Sequence, residues 1–138
     1  MASILKVDDL RGNTSAGDIT ITSEGGAATM QLQQGVAKAW VNFDGTGTIA
    51  IRDSLNATSL NDDGTGLYDV NFTSAMNDTN YSAVVDGAFD TADTAGTVVH
   101  GLRRISLSTS LVGVRCYSPG GSFADSQVVT NNVHGDLA

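Results

Sequence analysis

A chain of 138 residues with fifteen acidic against seven basic side chains carries a formal net charge of -8, so nucleic acid and anionic membranes are poor default partners. Its length is that of one domain, and a single cysteine excludes an intramolecular disulfide and a cysteine-based zinc site. Only 16% of the residues are charged, and the acid is nearly all Asp, with Glu24 the one glutamate. Asp is a turn residue where Glu is a helix residue, so the composition favours strands and turns.

The N-terminal stretch, residues 1–35, has short apolar pieces, Ile4 to Val7 and Ile19 to Ile21, separated by RGNTSAG and SEGGAA. Asp18 to Thr22 alternates and predicts a strand with one apolar face, and Met30, Leu32 and Val36 mark a further extended or short helical piece. The apolar bulk is too small for a core of its own. This stretch is therefore expected to be a short extended segment that anchors or oligomerises a main domain spanning residues 36–138. Met1 to Leu10 lacks the basic start and apolar core of a secretory signal, and no run is long enough to cross a membrane as a helix, so the expectation is a product made in the cytoplasm.

Ala37 to Ser54, AKAWVNFDGTGTIAIRDS, predicts a β-hairpin. Ala39, Val41 and Phe43 share one strand face with Lys38, Trp40 and Asn42 on the other, and Ile49 and Ile51 resume the alternation beyond the turn. Asp44-Gly45-Thr46-Gly47 supplies the positive-φ residues and the self-bonding Asp that a tight reversal needs. A second turn is expected at Asn61 to Gly66, followed by a strand with Tyr68, Val70 and Phe72 on one face. Ser74 to Asn80 turns the chain into Tyr81, Ala83 and Val85, and Ala88 to Gly96 has the composition of a long exposed loop. Later strands are marked by Ile105, Leu107 and Leu111, by Val112, Val114 and Cys116, and by Val128 to Val133. No apolar stripe of period 3.6 runs for a useful length. The fold class expected is all-β, an antiparallel β-sandwich of jelly-roll-like character.

Few groups of residues have the spacing that chemistry requires. The Asp-rich turns lack the ligand spacing of a calcium loop and read better as Asx turns. His100 and His134 have no second histidine or cysteine at ligand distance, although one histidine can bind metal on a three-fold axis of a trimeric fibre. There is no nucleophile elbow, the acidic pairs Asp8-Asp9 and Asp62-Asp63 read as solvated turn residues, and the glycine-rich stretches lack the lysine and helix of a phosphate loop. No catalytic residue, metal ligand or cofactor site is assigned, and an enzyme is not expected. Arg103-Arg104, the one basic pair, is chemically able to hold an acidic glycan or an aspartate of a neighbouring subunit, or to be a solvated strand end. Trp40, opposite the core face, is able to stack on a sugar, to fill a subunit interface, or to be covered within its own subunit. Asp-Gly-Thr-Gly occurs at Asp44 and again at Asp63, which reads as two turns with one chemistry rather than a duplication.

The run Ala37 to Ser54 resembles a segment of small structural proteins of tailed bacteriophages, notably those of marine bacteria, in which a hairpin of the form AKAWVNFxGTGTxAIRDSxN recurs. The match continues through Leu55-Asn56, Asp63-Gly64-Thr65-Gly66, Tyr68, Val70-Asn71-Phe72, Ala75-Met76 and Asn80-Tyr81, and Val133-His134-Gly135-Asp136 looks like the family's ending. The N-terminal ILKVDDLRGNTSAGDITI looks like the short leading strands of such proteins. The resemblance implies a non-enzymatic virion protein, a homotrimeric tail fibre or other receptor-binding appendage. Its partners would be itself, other virion proteins and a host-surface glycan or receptor. The alternative it leaves open is a capsid decoration or cement protein. In either role Ile4, Leu5, Val7, Ile19, Ile21 and Trp40 are the expected assembly interface, and in the receptor-binding role Ala88 to Gly96 and Pro119 to Asp125 are the candidate distal loops.

Overall fold

The computed structural model describes residues 4–15, 17–88, 99–118 and 120–138, and it divides the chain into two compact units, Met1–Val36 and Ala37–Ala138. The first unit is a two-stranded hairpin with a helical turn after it. β1 (Thr20–Thr22) pairs antiparallel with β2 (Thr29–Gln31), Ile21 opposite Met30, and α1 (Leu32–Gly35) follows. Ser23 closes the loop with its backbone N–H on Ala28 O at 2.8 Å. None of the described residues of this unit is buried. A two-stranded ribbon has no second layer to bury its apolar face against, as its small apolar content predicts.

The second unit holds β3 (Ala39–Asp44), β4 (Ala50–Leu55), β5 (Ala57–Gly64), β6 (Leu67–Phe72), β7 (Ser82–Ala88), β8 (Val99–Leu107), β9 (Leu111–Tyr117) and β10 (Val128–His134). They form two four-stranded antiparallel sheets, ordered β4-β3-β10-β7 and β5-β6-β9-β8. The expected all-β sandwich is what the chain builds. The connections β3–β4, β5–β6 and β8–β9 stay within a sheet, and the other four cross between sheets.

The two central strands of each sheet carry the core. Ala39, Val41 and Phe43 of β3 with Val129 and Val133 of β10 face Tyr68, Val70 and Phe72 of β6 and Val112, Val114 and Cys116 of β9. Phe43 meets Tyr68 edge to face, with centroids 5.3 Å apart. Strict alternation fills this layer because successive side chains leave a strand on opposite faces. β5 is a strand where the sequence predicts only the approach to a turn. It is an edge strand and none of its residues is buried, so it has no clean apolar alternation to reveal it.

The predicted turn chemistry is realised at the first hairpin. Asp44 Oδ1 accepts from the Thr46 amide at 3.0 Å and from its hydroxyl at 2.7 Å, and Gly47 takes φ 60. The second Asp-Gly-Thr-Gly string folds otherwise. Asp62, not Asp63, accepts from the Gly64 amide at 3.0 Å, and the reversal narrows to Thr65-Gly66 between the paired Gly64 and Leu67. Like sequence therefore serves two different turns. No helix of the described residues is long and apolar enough to cross a membrane.

Candidate functional site

β8 and β9 run in register from Val99↔Tyr117 to Leu102↔Val114, and pairing resumes at Leu107↔Val112. Arg103, Arg104, Ile105 and Ser106 thus stand opposite Gly113 alone, in a bulge far larger than the usual one extra residue. A bulge re-aims side chains, and here it throws Arg104 and Ile105 outward; Ile105 is 85% exposed. Gly113 makes the close approach possible, because a Cβ on it would meet Ser106 Cβ at 2.4 Å and Arg103 Cβ at 2.9 Å.

Two aspartates fasten the bulge. Arg103 makes an ion pair with Asp63 of β5 and lies 3.6 Å from Asp69 Oδ1 of β6. The Asp69 side chain points to the outer face of its sheet and yet is buried. Its carboxyl is pushed above the ordinary carboxylate value, chiefly by burial and further by the Asp63 charge, against the opposing pull of Ser106 and Arg103. Arg103 is thereby the half-buried anchor of the bulge, held by aspartates of its own chain, while its neighbour Arg104 projects from it. The sequence leaves both arginines the same three roles, and the structure separates them.

Beside the bulge, the chain reverses after Tyr117. Ser118 N donates to Ser122 O at 2.8 Å, Gly121 takes φ 82, and Phe123 returns to bridge Tyr117, its ring stacked at 4.7 Å and 24°. Arg115 lies over the Tyr117 ring, 5.5 Å from its centroid, with its Nε 3.6 Å from the place a Cβ on Gly101 would take. Leu67, Arg103, Arg104, Ile105, Arg115, Tyr117 and Phe123 together line a groove of about 260 Å³ on the outer face of the β5-β6-β9-β8 sheet. Cations and flat aromatic faces over an apolar floor are suited to hold a polar ring with one apolar face, as a sugar has.

Of these, sequence reading singles out Arg103-Arg104 and the loop Pro119 to Asp125, and misses Arg115 and Tyr117. The available signal is Tyr117 and Phe123 flanking Ser-Pro-Gly-Gly-Ser, turn residues that set the two aromatics facing each other. The loop expected at Ala88 to Gly96 lies, from Phe89 on, outside the described residues.

The expected assembly residues fall in two places. In the first unit Ile4, Leu5, Val7 and Ile21 are exposed and Ile19 is half-buried. In the second, Trp40 is half-buried on the outer face of the β4-β3-β10-β7 sheet, in register with Leu55 on one side and Asn132 on the other, and Asn132 is in register with Val84. Leu55 and Val84 are exposed, so an apolar row runs across this sheet, interrupted by Asn132.

The Cys116 thiol is pushed up to about 12 by burial, the Asp125 charge adding to it, which removes it as a nucleophile. His100 Nε2 is 3.2 Å from Ser126 Oγ, and His134 is exposed on β10. Among the described residues no three His, Cys, Asp or Glu side chains gather as a metal cluster.

No protein-family model and no curated protein sequence matches the chain. Among solved structures it is similar to the phiAB6 tailspike, crystallised in complex with three-repeated oligosaccharides of Acinetobacter baumannii surface polysaccharide, with a TM-score of 0.58 and 16% identity. The similarity covers 85% of this chain and 23% of the tailspike, so the chain spans about a quarter of that protein's length. Part of a phage tailspike and this chain thus share a fold.

Proposed function

We propose that the chain is a non-enzymatic structural protein of a bacteriophage virion, a homotrimeric fibre or receptor-binding appendage that contacts a host-surface glycan through the groove beside the β8 bulge. The observation that carries this reading is the Tyr117–Phe123 stack lining one groove with Arg104 and Arg115, on a sandwich whose fold also occurs in a phage tailspike. The tailspike's oligosaccharide complex supports the ligand class, and the exposed apolar residues Ile4, Leu5, Val7 and Ile21, with Trp40 and its row, supply faces for neighbouring protomers or other virion proteins.

Those apolar faces equally favour the second reading, a capsid decoration protein, but that role leaves the groove unused. Two measurements separate them. Purified protein should be a trimer by light scattering and should bind cells of the bacterium its phage infects, with Phe123→Ala abolishing that binding while the trimer persists. A protein that binds no cells and is present in virions at a copy number matching the capsid lattice is the decoration protein instead.

A further inference from the structure

The geometry points to a carboxylate-bearing sugar as the ligand of the groove, with Arg104 and Arg115 receiving the carboxylate and Phe123 the apolar face of the ring; this rests on the groove being a glycan contact.

The charge pattern carries the inference. The chain has five arginines, and three are spoken for: Arg11 pairs with Asp9 at 2.6 Å, Arg52 with Asp44 at 2.8 Å, and Arg103 with Asp63 and Asp69. Among the described residues no carboxylate pairs with Arg104 or Arg115, and these two line the same groove. In a protein of net charge -8 a neutralising aspartate is easily supplied, as the other three arginines show. Two aspartates at the bulge, Asp63 and Asp69, are engaged by Arg103, which anchors the bulge and leaves Arg104 and Arg115 without a carboxylate partner among the described residues.

Guanidinium groups suit this task. Each is planar, permanently charged and able to donate two parallel N–H bonds to a carboxylate. Arg115 is partly fixed already by its place over Tyr117, so less side-chain freedom is lost on binding. Phe123, backed by Tyr117 and 46% exposed, is the free aromatic face. At about 260 Å³ the groove is a little smaller than the roughly 300–1,000 Å³ of pockets that enclose a drug-sized molecule, which fits one ring of a longer chain. The overall negative charge repels polyanions at long range, so selection is local to this ring and not a general affinity for acidic polymers.

The test uses the full chain and oligosaccharides of galacturonate, mannuronate and N-acetylneuraminate, each beside its neutral methyl ester, by calorimetric titration. At least one acid should bind roughly tenfold or more tightly than its ester, the scale of a charge-assisted hydrogen-bond pair. Arg104→Gln with Arg115→Gln should erase that preference, and Phe123→Ala should weaken acid and ester alike. Far-ultraviolet circular dichroism of each variant checks the fold. Equal binding of acid and ester, a preference that survives the double substitution, or no binding of any acid overturns the inference. Equal binding together with Phe123-dependent attachment to host cells overturns the carboxylate while leaving the appendage reading standing. Acid-selective binding without attachment to cells supports the groove and removes the appendage.

Discussion

Gly113 of β9 leaves bare the space that Arg103 of β8 fills: a Cβ on the glycine would stand 2.9 Å from the arginine's Cβ and 3.0 Å from its carbonyl oxygen. The bulge that raises Arg104 and Ile105 exists only because that side chain is absent. Gly113→Ala should therefore destabilise the fold by about 1–3 kcal/mol, the range of an overpacked core, and displace the bulge enough to lose the glycan binding proposed for the groove. Gly101→Ala, where a Cβ meets only Arg115 Nε at 3.6 Å, should change stability by no more than about 0.5 kcal/mol. Urea unfolding of both variants, set beside their binding, checks the contrast.

Tyr68 ties the first hairpin to the chain entering β10. Its hydroxyl lies 2.7 Å from Gly45 O and 2.8 Å from Asp125 Oδ1, while Asp125 also accepts from the Gly66 amide at 2.7 Å. Burial, with the Asp125 carboxylate adding to it, pushes the phenol well above its ordinary ionisation. Tyr68→Phe keeps the edge contact with Phe43 and removes the hydroxyl. Because Asp125 retains the Gly66 donor, the expected loss is about 1–2 kcal/mol, read as a lower urea midpoint at unchanged slope.

Asn56, at φ 56, is the non-glycine residue found in the left-handed region among the described residues, and it sits where the chain passes from one sheet to the other. Its side chain donates to Ser74 O at 3.0 Å and accepts from Ser74 N at 2.6 Å, binding the β4–β5 crossover to the end of β6. Asn56→Ala loses both bonds and keeps the unfavourable φ, so it should cost about 2–4 kcal/mol. Asn56→Gly relieves the backbone and should recover about 1 kcal/mol of that. Thermal unfolding of the pair separates the two effects.

Acid should loosen the first hairpin through Asp44. The Thr46 hydroxyl, then the Thr46 amide and Arg52, hold its carboxyl below the ordinary value of 3.8. A lowered folded value means that this stabilisation is complete above the ordinary value and disappears as pH falls through the lowered one. Thr46→Ala, which removes the largest cause, should cost no more than about 1 kcal/mol at neutral pH because the site is partly exposed, and the deficit should shrink below pH 3.8. Asp69 works with the opposite sign. Its raised value makes the burial of its charge a cost that is full above the folded value and absent below the ordinary one. Stability curves of the wild type, Thr46→Ala and Asp69→Asn between pH 2 and 7 distinguish the two slopes.

Features whose cause is local were legible in the amino-acid order. The alternation of Ala39, Val41 and Phe43, of Tyr68, Val70 and Phe72, and of Val112, Val114 and Cys116 determined the core strands, since a strand's side chains alternate whatever it pairs with. Asp44, Thr46 and Gly47 determined the first turn, because their bonds close within that turn. Tertiary structure alone decided the rest. β5 is a strand because β6 offers it hydrogen bonds, not because its side chains demand it. Asp63, in a string identical to the first turn's, went to Arg103 because the sheet order β5-β6-β9-β8 lines up Arg103, the bare Gly113 of β9, Asp69 of β6 and the edge strand that carries Asp63. The groove likewise joins Leu67, Arg104, Arg115 and Phe123 from separate parts of the chain, through a bulge visible only as a mismatch between two paired strands. Local chemistry writes strands and turns into neighbouring residues, whereas a binding surface is a product of register, and register depends on partners far away in sequence.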